Sequence, residues 1–124
     1  MISRTLRILA MLATITMPLS VFAAKEPIYI NLATNDPAKV LMALDAGRQY
    51  AEKGYPIVIY LNDKAVSLGL ASNGHESNEE LALLKAIAGG AKVIICPSCL
   101  EIYGFSNQPL VSGIIAGTPH HVAH

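Results

Sequence analysis

The stretch "VIICPSCLEIYG", residues 93 to 104, holds both cysteines of the 124-residue chain, Cys96 and Cys99, on either side of a Pro-Ser pair. A thiol pair at this spacing can close a short disulfide, supply half of a zinc site, exchange disulfides with a partner, or take up sulfur as a persulfide. The surroundings favour a reactive thiolate. Cys96 ends a β-branched run, Pro97 suits the first position of a short helix and Gly104 can end it, so Cys96 falls at or near the N-cap. There the unpaired amides of the first turn stabilise a thiolate over a thiol. Cys99 lies one turn further in, on the same side.

What a thiol pair can do depends on compartment, and the N-terminus supplies an expectation. Arg4 and Arg7 precede an apolar run from Ile8 to Phe22, interrupted near its end by Pro18 and Ser20 and followed by Ala23-Ala24. The run falls short of the ~20 residues of a membrane span, and small residues at Val21 and Ala23 suit cleavage after Ala23. Residues 1–23 therefore read as a secretory signal peptide and 24–124 as one exported domain, periplasmic or secreted, with no membrane association after cleavage. No cysteine follows the cleavage site, so a lipid anchor is not indicated. Cleavage removes two of nine basic residues and none of nine acidic ones, leaving a mildly acidic domain. With no basic stripe and no Trp, nucleic acid is not an expected partner.

Alternating elements position the pair. "IYINLA", residues 28–33, reads as a strand, and Asp36 with Pro37 opens a helix to Lys53, with Val40, Leu44, Gly47 and Ala51 on one stripe and Gly54 as its stop. "PIVIYL", residues 56–61, is a second strand with almost no polar alternation, the pattern of a parallel sheet buried on both faces. "NDKAVSLGLASNGHE" reads as a loop ending at a capping box, Ser77 with Glu80, ahead of a helix whose Leu81, Leu84 and Ala88 share a face. Gly89-Gly90 closes it, and "KVIIC" is a third buried strand. Strands and helices alternating at this spacing imply right-handed crossovers and an α/β fold around a mostly parallel sheet.

In such sheets chemistry gathers at the carboxyl edge, where Cys96 ends the third strand. The same edge receives Asn35 and Asp36 after the first strand and Asn62 and Asp63 after the second. Asn35, Asn62 and Asp63 are candidate substrate-binding residues, beside the plainer roles of turn formers and, for Asp36, of a helix cap.

The succession "NLATNDPAKVLMAL", "GYPIVIYLNDKAVSLGLAS", "GAKVIICPSCLEIYG" and "PLVSGIIAGTP" resembles the DsrE/DsrF-like family of small sulfur-relay proteins over nearly the whole mature chain. The strand-two signature "VIYLNDKAV" and the cysteine ending strand three, with Gly104 eight positions on, carry most of the resemblance. It implies a three-layer α/β sandwich around a mostly parallel sheet, shortened at its C-terminus, and assembly into trimers or hexamers. It also implies that Cys96 accepts and passes on a persulfide sulfur. Two departures stand out: relatives continue past "SGIIAGTP" through another helix and strand, and many carry a basic residue where this chain has Tyr103.

Competing roles for the pair remain. A structural bridge suits an oxidising compartment, although so short a loop constrains the unfolded chain little. Zinc would need two further ligands from His75, His120, His121 or His124. A glutaredoxin-type thiol carrier also presents Cys-Pro-x-Cys, but there the motif follows the first strand, and Pro109 and Pro119 are poor matches for its proline loop. A non-catalytic oligomeric subunit is a further alternative. The sequence-based expectation is an exported sulfur-transfer subunit rather than a stand-alone enzyme, with Cys96 as acceptor, Cys99 as resolving thiol and no cofactor. Its partners would be sulfur donors and acceptors, proteins or small sulfur compounds. It should also form a homo-oligomer, because three helices at most cannot cover both faces of the sheet.

Overall fold

A computed structural model describes residues 24–72, 74 and 76–118. The expected signal peptide, His75, Pro119 and the three histidines after it lie outside the described residues. The order of elements is β1 (Ile28–Leu32), α1 (Pro37–Glu52), β2 (Ile57–Leu61), a 3₁₀ turn (Asp63–Gly69), α2 (Asn78–Ala88), β3 (Lys92–Ile95), α3 (Pro97–Ile102) and β4 (Ile114–Ala116). The strands form one sheet in the order β1-β2-β3-β4, every neighbouring pair parallel, so the architecture is an α/β sandwich with flanking helices.

Register explains which face is the core. Ile30, Ile59, Val93 and Ile114 stand side by side across the sheet, and Leu32, Leu61, Ile95 and Ala116 form the next row. Ile59, Leu61, Val93 and Ile95 are almost fully buried there, in one cluster with Val40 and Leu44 of α1 and Leu83 of α2. Each Leu or Ile so buried contributes roughly 1.5–3 kcal/mol of transfer free energy. The neighbouring side chains in each strand point the other way. On that second face Tyr29 is 67% exposed and Ile115 41% exposed, with Ile94 buried between them. Val58 and Tyr60 are only half-buried, so the unbroken apolar run of β2 does not mean burial on both faces.

The helices begin as their sequences dictate. The Asp36 carboxylate accepts the Lys39 amide at 3.0 Å, and Pro37 opens α1. Ser77 and Glu80 form the reciprocal capping box of α2. Val40, Leu44 and Gly47 are the buried stripe of α1. A Cβ on Gly47 would stand 2.7 Å from the Ile30 Cδ1, so glycine lets α1 settle onto β1. In α2 the packed face differs from the expected one: Leu83 is buried while Leu81 is 43% exposed. The 3₁₀ turn occupies part of the expected loop, with Ala65, Val66 and Leu68 in the core. No helix among the described residues is long and apolar enough to cross a membrane.

Candidate functional site at the carboxyl edge of the sheet

β3 delivers Cys96 to the edge. Its amide still donates to the Leu61 carbonyl at 2.9 Å, continuing the ladder with β2, while its own φ of −75° and ψ of 111° are extended, as an N-cap requires. Pro97 then starts α3, and the Cys99 amide donates to the Cys96 Sγ at 3.2 Å. The Ser98 hydroxyl lies 3.3 Å from the same sulfur. Cys96 and Cys99 are joined as a disulfide, with Cα atoms 5.3 Å apart, a span that ordinary disulfides occupy.

The end of α3 fixes the helix in place. Gly104 adopts φ 77°, its amide donates to the Glu101 carbonyl at 3.0 Å, and the Phe105 amide reaches the Leu100 carbonyl at 2.7 Å. This is a Schellman closure, which needs a left-handed residue after the helix. A Cβ at Gly104 would meet nothing within 4 Å, so the glycine serves conformation and not space. Gly104→Ala is therefore expected to lower unfolding stability by about 1–2 kcal/mol through backbone strain alone, read by denaturant titration.

β2 delivers Asn62 and Asp63, and the structure sends them to different partners. Asn62 turns toward β1: its amide donates to the Leu32 carbonyl at 3.0 Å and its side-chain amide donates to the Asn31 side-chain oxygen. Asp63 turns toward the cysteines. It is the only non-glycine residue with a positive φ among the described residues, at 48°, and its amide donates to the Cys99 Sγ at 3.4 Å. Its carboxylate accepts the hydroxyl of Tyr103, at the end of α3. Asn35 is exposed in the loop before α1, and no hydrogen bond joins it to the pair; Asp36 serves as the α1 cap.

Each sulfur of the pair thus receives one backbone amide, from Cys99 for Cys96 and from Asp63 for Cys99. Sequence reasoning did not single out Ser98, Asn31 or the Tyr103–Asp63 contact. Ser98 was legible as one of the two residues between the cysteines; the other two depend on which loops meet.

The Tyr103 contact has a titration signature. Its hydrogen bond to Asp63, then its partial desolvation and the Asp63 charge, hold the phenol above its ordinary pKa of 10.0. A phenol so raised keeps its proton longer in the folded chain, so its stabilising contribution is complete below pH 10.0 and is lost as pH rises through the folded value. Tyr103→Phe is expected to remove one phenolate step that titrates above pH 10.0, followed by absorbance in the alkaline range.

A groove of about 650 Å³ lies elsewhere, between α1 and α2, lined by Leu44, Gly47, Ala51, Ala82 and Ala86 with Lys85 at its edge. It contains neither cysteine, and its lining includes Gly54, Pro56, Gly90 and Ala91, just before β2 and β3, at the edge opposite the cysteines.

No family model matches the chain, and no curated protein matches it. Among solved structures, the crystal structure of the ychN protein from E. coli is similar, with a TM-score of 0.63 and 25% sequence identity over 80% of this chain and 88% of that one. The four-stranded parallel sheet, its flanking helices and this likeness together support a DsrE-like fold, with the cysteine pair at the edge where such α/β sheets place their chemistry.

Proposed function

We propose that the protein is an exported sulfur carrier that accepts a sulfane sulfur as a persulfide on Cys96 and uses Cys99 as the resolving thiol. The observation that carries this reading is the N-cap geometry of Cys96, whose sulfur receives the Cys99 amide at 3.2 Å with a second cysteine within bonding reach. An amide aimed at the sulfur favours the thiolate, which is the nucleophile in sulfur exchange.

In the reduced chain the Cys96 thiolate attacks the outer sulfur of a persulfide or polysulfide donor. A bond forms to that sulfur, the donor's own sulfur–sulfur bond breaks, and the remainder of the donor leaves as a thiolate or shorter polysulfide. Release follows when the Cys99 thiolate attacks the Cys96 Sγ: hydrosulfide departs and the Cys96–Cys99 disulfide forms. Asp63 stands beside the pair through the contact of its amide with the Cys99 sulfur. No organic cofactor takes part in these steps.

The bonded pair itself favours a second reading, thiol–disulfide exchange without sulfur storage. Intact-mass measurement after polysulfide treatment of the reduced Cys99→Ser chain, which lacks the resolving thiol, separates the two. The carrier gains the mass of one sulfur on Cys96, and a plain redox pair gains none.

Export rests on the sequence of residues 1–23, and an oxidising compartment is where a pair that cycles through a disulfide is at home. Self-association belongs to the same reading and is supported by the second face of the sheet, where Tyr29 and Ile115 are exposed.

A further inference from the structure

The two sulfurs of the disulfide are presented unequally. Cys96 is 7% exposed and belongs to the same buried cluster as Leu61, Ile95 and Leu100. Cys99 is only partly buried and packs against that cluster from outside. The polar surroundings differ as well. Around Cys96 Sγ are the Cys99 amide at 3.2 Å and the Ser98 hydroxyl at 3.3 Å, whereas Cys99 Sγ has the Asp63 amide at 3.4 Å.

A thiolate opens a disulfide by attacking one sulfur and expelling the other. The attacked sulfur must be reachable, and exchange is faster when the departing thiolate is the better stabilised one. Both conditions select the same polarity here: Cys99 is the reachable sulfur and Cys96 the better-stabilised leaving group.

We infer that the pair is reopened by an unhindered external thiolate attacking Cys99, so that the mixed disulfide forms on Cys99 and Cys96 is released as a thiolate. In the first step a bond forms between the incoming sulfur and Cys99 Sγ, the Cys96–Cys99 bond breaks, and the electron pair stays on Cys96. A second thiolate then attacks the external sulfur of the mixed disulfide. The two external thiols leave joined as a disulfide, and Cys99, departing as thiolate, takes a proton from water. Two thiols are oxidised and the pair gains two electrons.

The polarity gives Cys99 a regulatory role in the carrier cycle, a consequence that rests on the reading above. While the external thiol occupies Cys99, Cys96 is already free to accept sulfur and no resolving thiolate is present to discharge it. The first thiol thus reactivates the acceptor, and the second restores the resolving thiol.

The test uses the oxidised full-length chain and glutathione. A brief exposure is quenched with excess N-ethylmaleimide, and fragment-ion spectra locate each adduct across the Pro97-Ser98 bonds. Glutathione on Cys99 with maleimide on Cys96 is expected, in roughly tenfold excess over the reverse, because the better-stabilised leaving group and the difference in access act in the same direction. A Ser98→Ala variant, which keeps the Cys99 amide, should lower that excess. Glutathione mainly on Cys96, an even split, or no opening overturns the inference. A parallel arm with a protein thiol, a thioredoxin lacking its resolving cysteine, distinguishes a small from a macromolecular reductant: cross-linking at Cys99 supports the same polarity, and cross-linking at Cys96 overturns it. Neither arm uses sulfane sulfur, so failure of sulfur loading in the reduced chain leaves this result readable on its own.

Discussion

Cys96→Ser is expected to abolish uptake of sulfane sulfur by the reduced protein, while Cys99→Ser still loads and accumulates more persulfide than the parent chain. The asymmetry follows from the local geometry. Serine at position 96 keeps the cap, since a hydroxyl accepts the residue-99 amide as a sulfur does, but it cannot hold a persulfide. Serine at position 99 removes only the attacking group that would expel hydrosulfide. Intact mass after polysulfide treatment reads both outcomes. A purely structural bridge gives another pattern: a loop this short, with a sequence separation of 3, supplies roughly 2 kcal/mol in the chain-entropy account, and either substitution would remove all of it. Both variants would then melt early by the same amount and neither would trap sulfur. Ionisation is measured through the pH dependence of alkylation, not its rate at one pH, because the amide at Cys96 and the greater exposure of Cys99 push a single rate in opposite directions. Cys96 should show the lower midpoint.

The elements with strong local signals were legible, and those fixed by tertiary contact were not. Asp36-Pro37 and Ser77…Glu80 determine where helices start because the cap chemistry lies within four residues. Cys96 was placed at an N-cap for the same reason, with Pro97 setting the first helical φ. The packed side of α2 was not legible. "LALLKAIA" is apolar nearly all round, so periodicity leaves the choice of face to the sheet, which takes Leu83. The 3₁₀ turn was hidden because its seven residues are too short for a helical pattern. It is held where Gly69 approaches Ile95, Ile114 and Leu61, at distances that would leave an added Cβ 2.8 Å, 3.2 Å and 3.3 Å from their methyl carbons. Strand β4 has three residues and depends on β3 for its register.

The candidate site divides in the same way. Asn62 and Asp63 are adjacent and were grouped as pocket residues, yet one stitches β2 to β1 and the other reaches the cysteine helix. Nothing local foretold that Asp63 would take a positive φ. That conformation costs on the order of 1–2 kcal/mol and is kept where surrounding contacts hold it, here the Cys99 sulfur and the Tyr103 hydroxyl. Tyr103 itself stood out in the sequence only as a departure from a basic residue. Its hydroxyl now explains how α3 is tied to the loop after β2 without a cation at that position.

At micromolar concentration the protein is expected to sediment as an assembly larger than a monomer, and the double variant Tyr29→Glu, Ile115→Glu is expected to sediment as a monomer. Strand alternation puts Tyr29, Val58, Tyr60, Ile94 and Ile115 on the face opposite the core, and the register sets Tyr60, Ile94 and Ile115 in one row. Tyr29 and Ile115 mark the two ends of this face, on the edge strands β1 and β4, and both are well exposed. Parallel sheets are ordinarily covered on both sides, because their strands carry apolar residues toward both. A second copy of the chain offers the same apolar face, and among the described residues the face bears only Lys92 as a charge, so juxtaposing two copies meets little repulsion. Because both positions are exposed in the isolated chain, placing glutamates there changes folding stability little. Burying those carboxylates unpaired between two copies costs several kcal/mol, enough to dissociate an interface of ordinary strength. Sedimentation velocity gives the mass, and circular dichroism confirms that the variant is folded. A wild-type chain that sediments as a compact monomer across the micromolar range would exclude self-association and leave this face to a different partner.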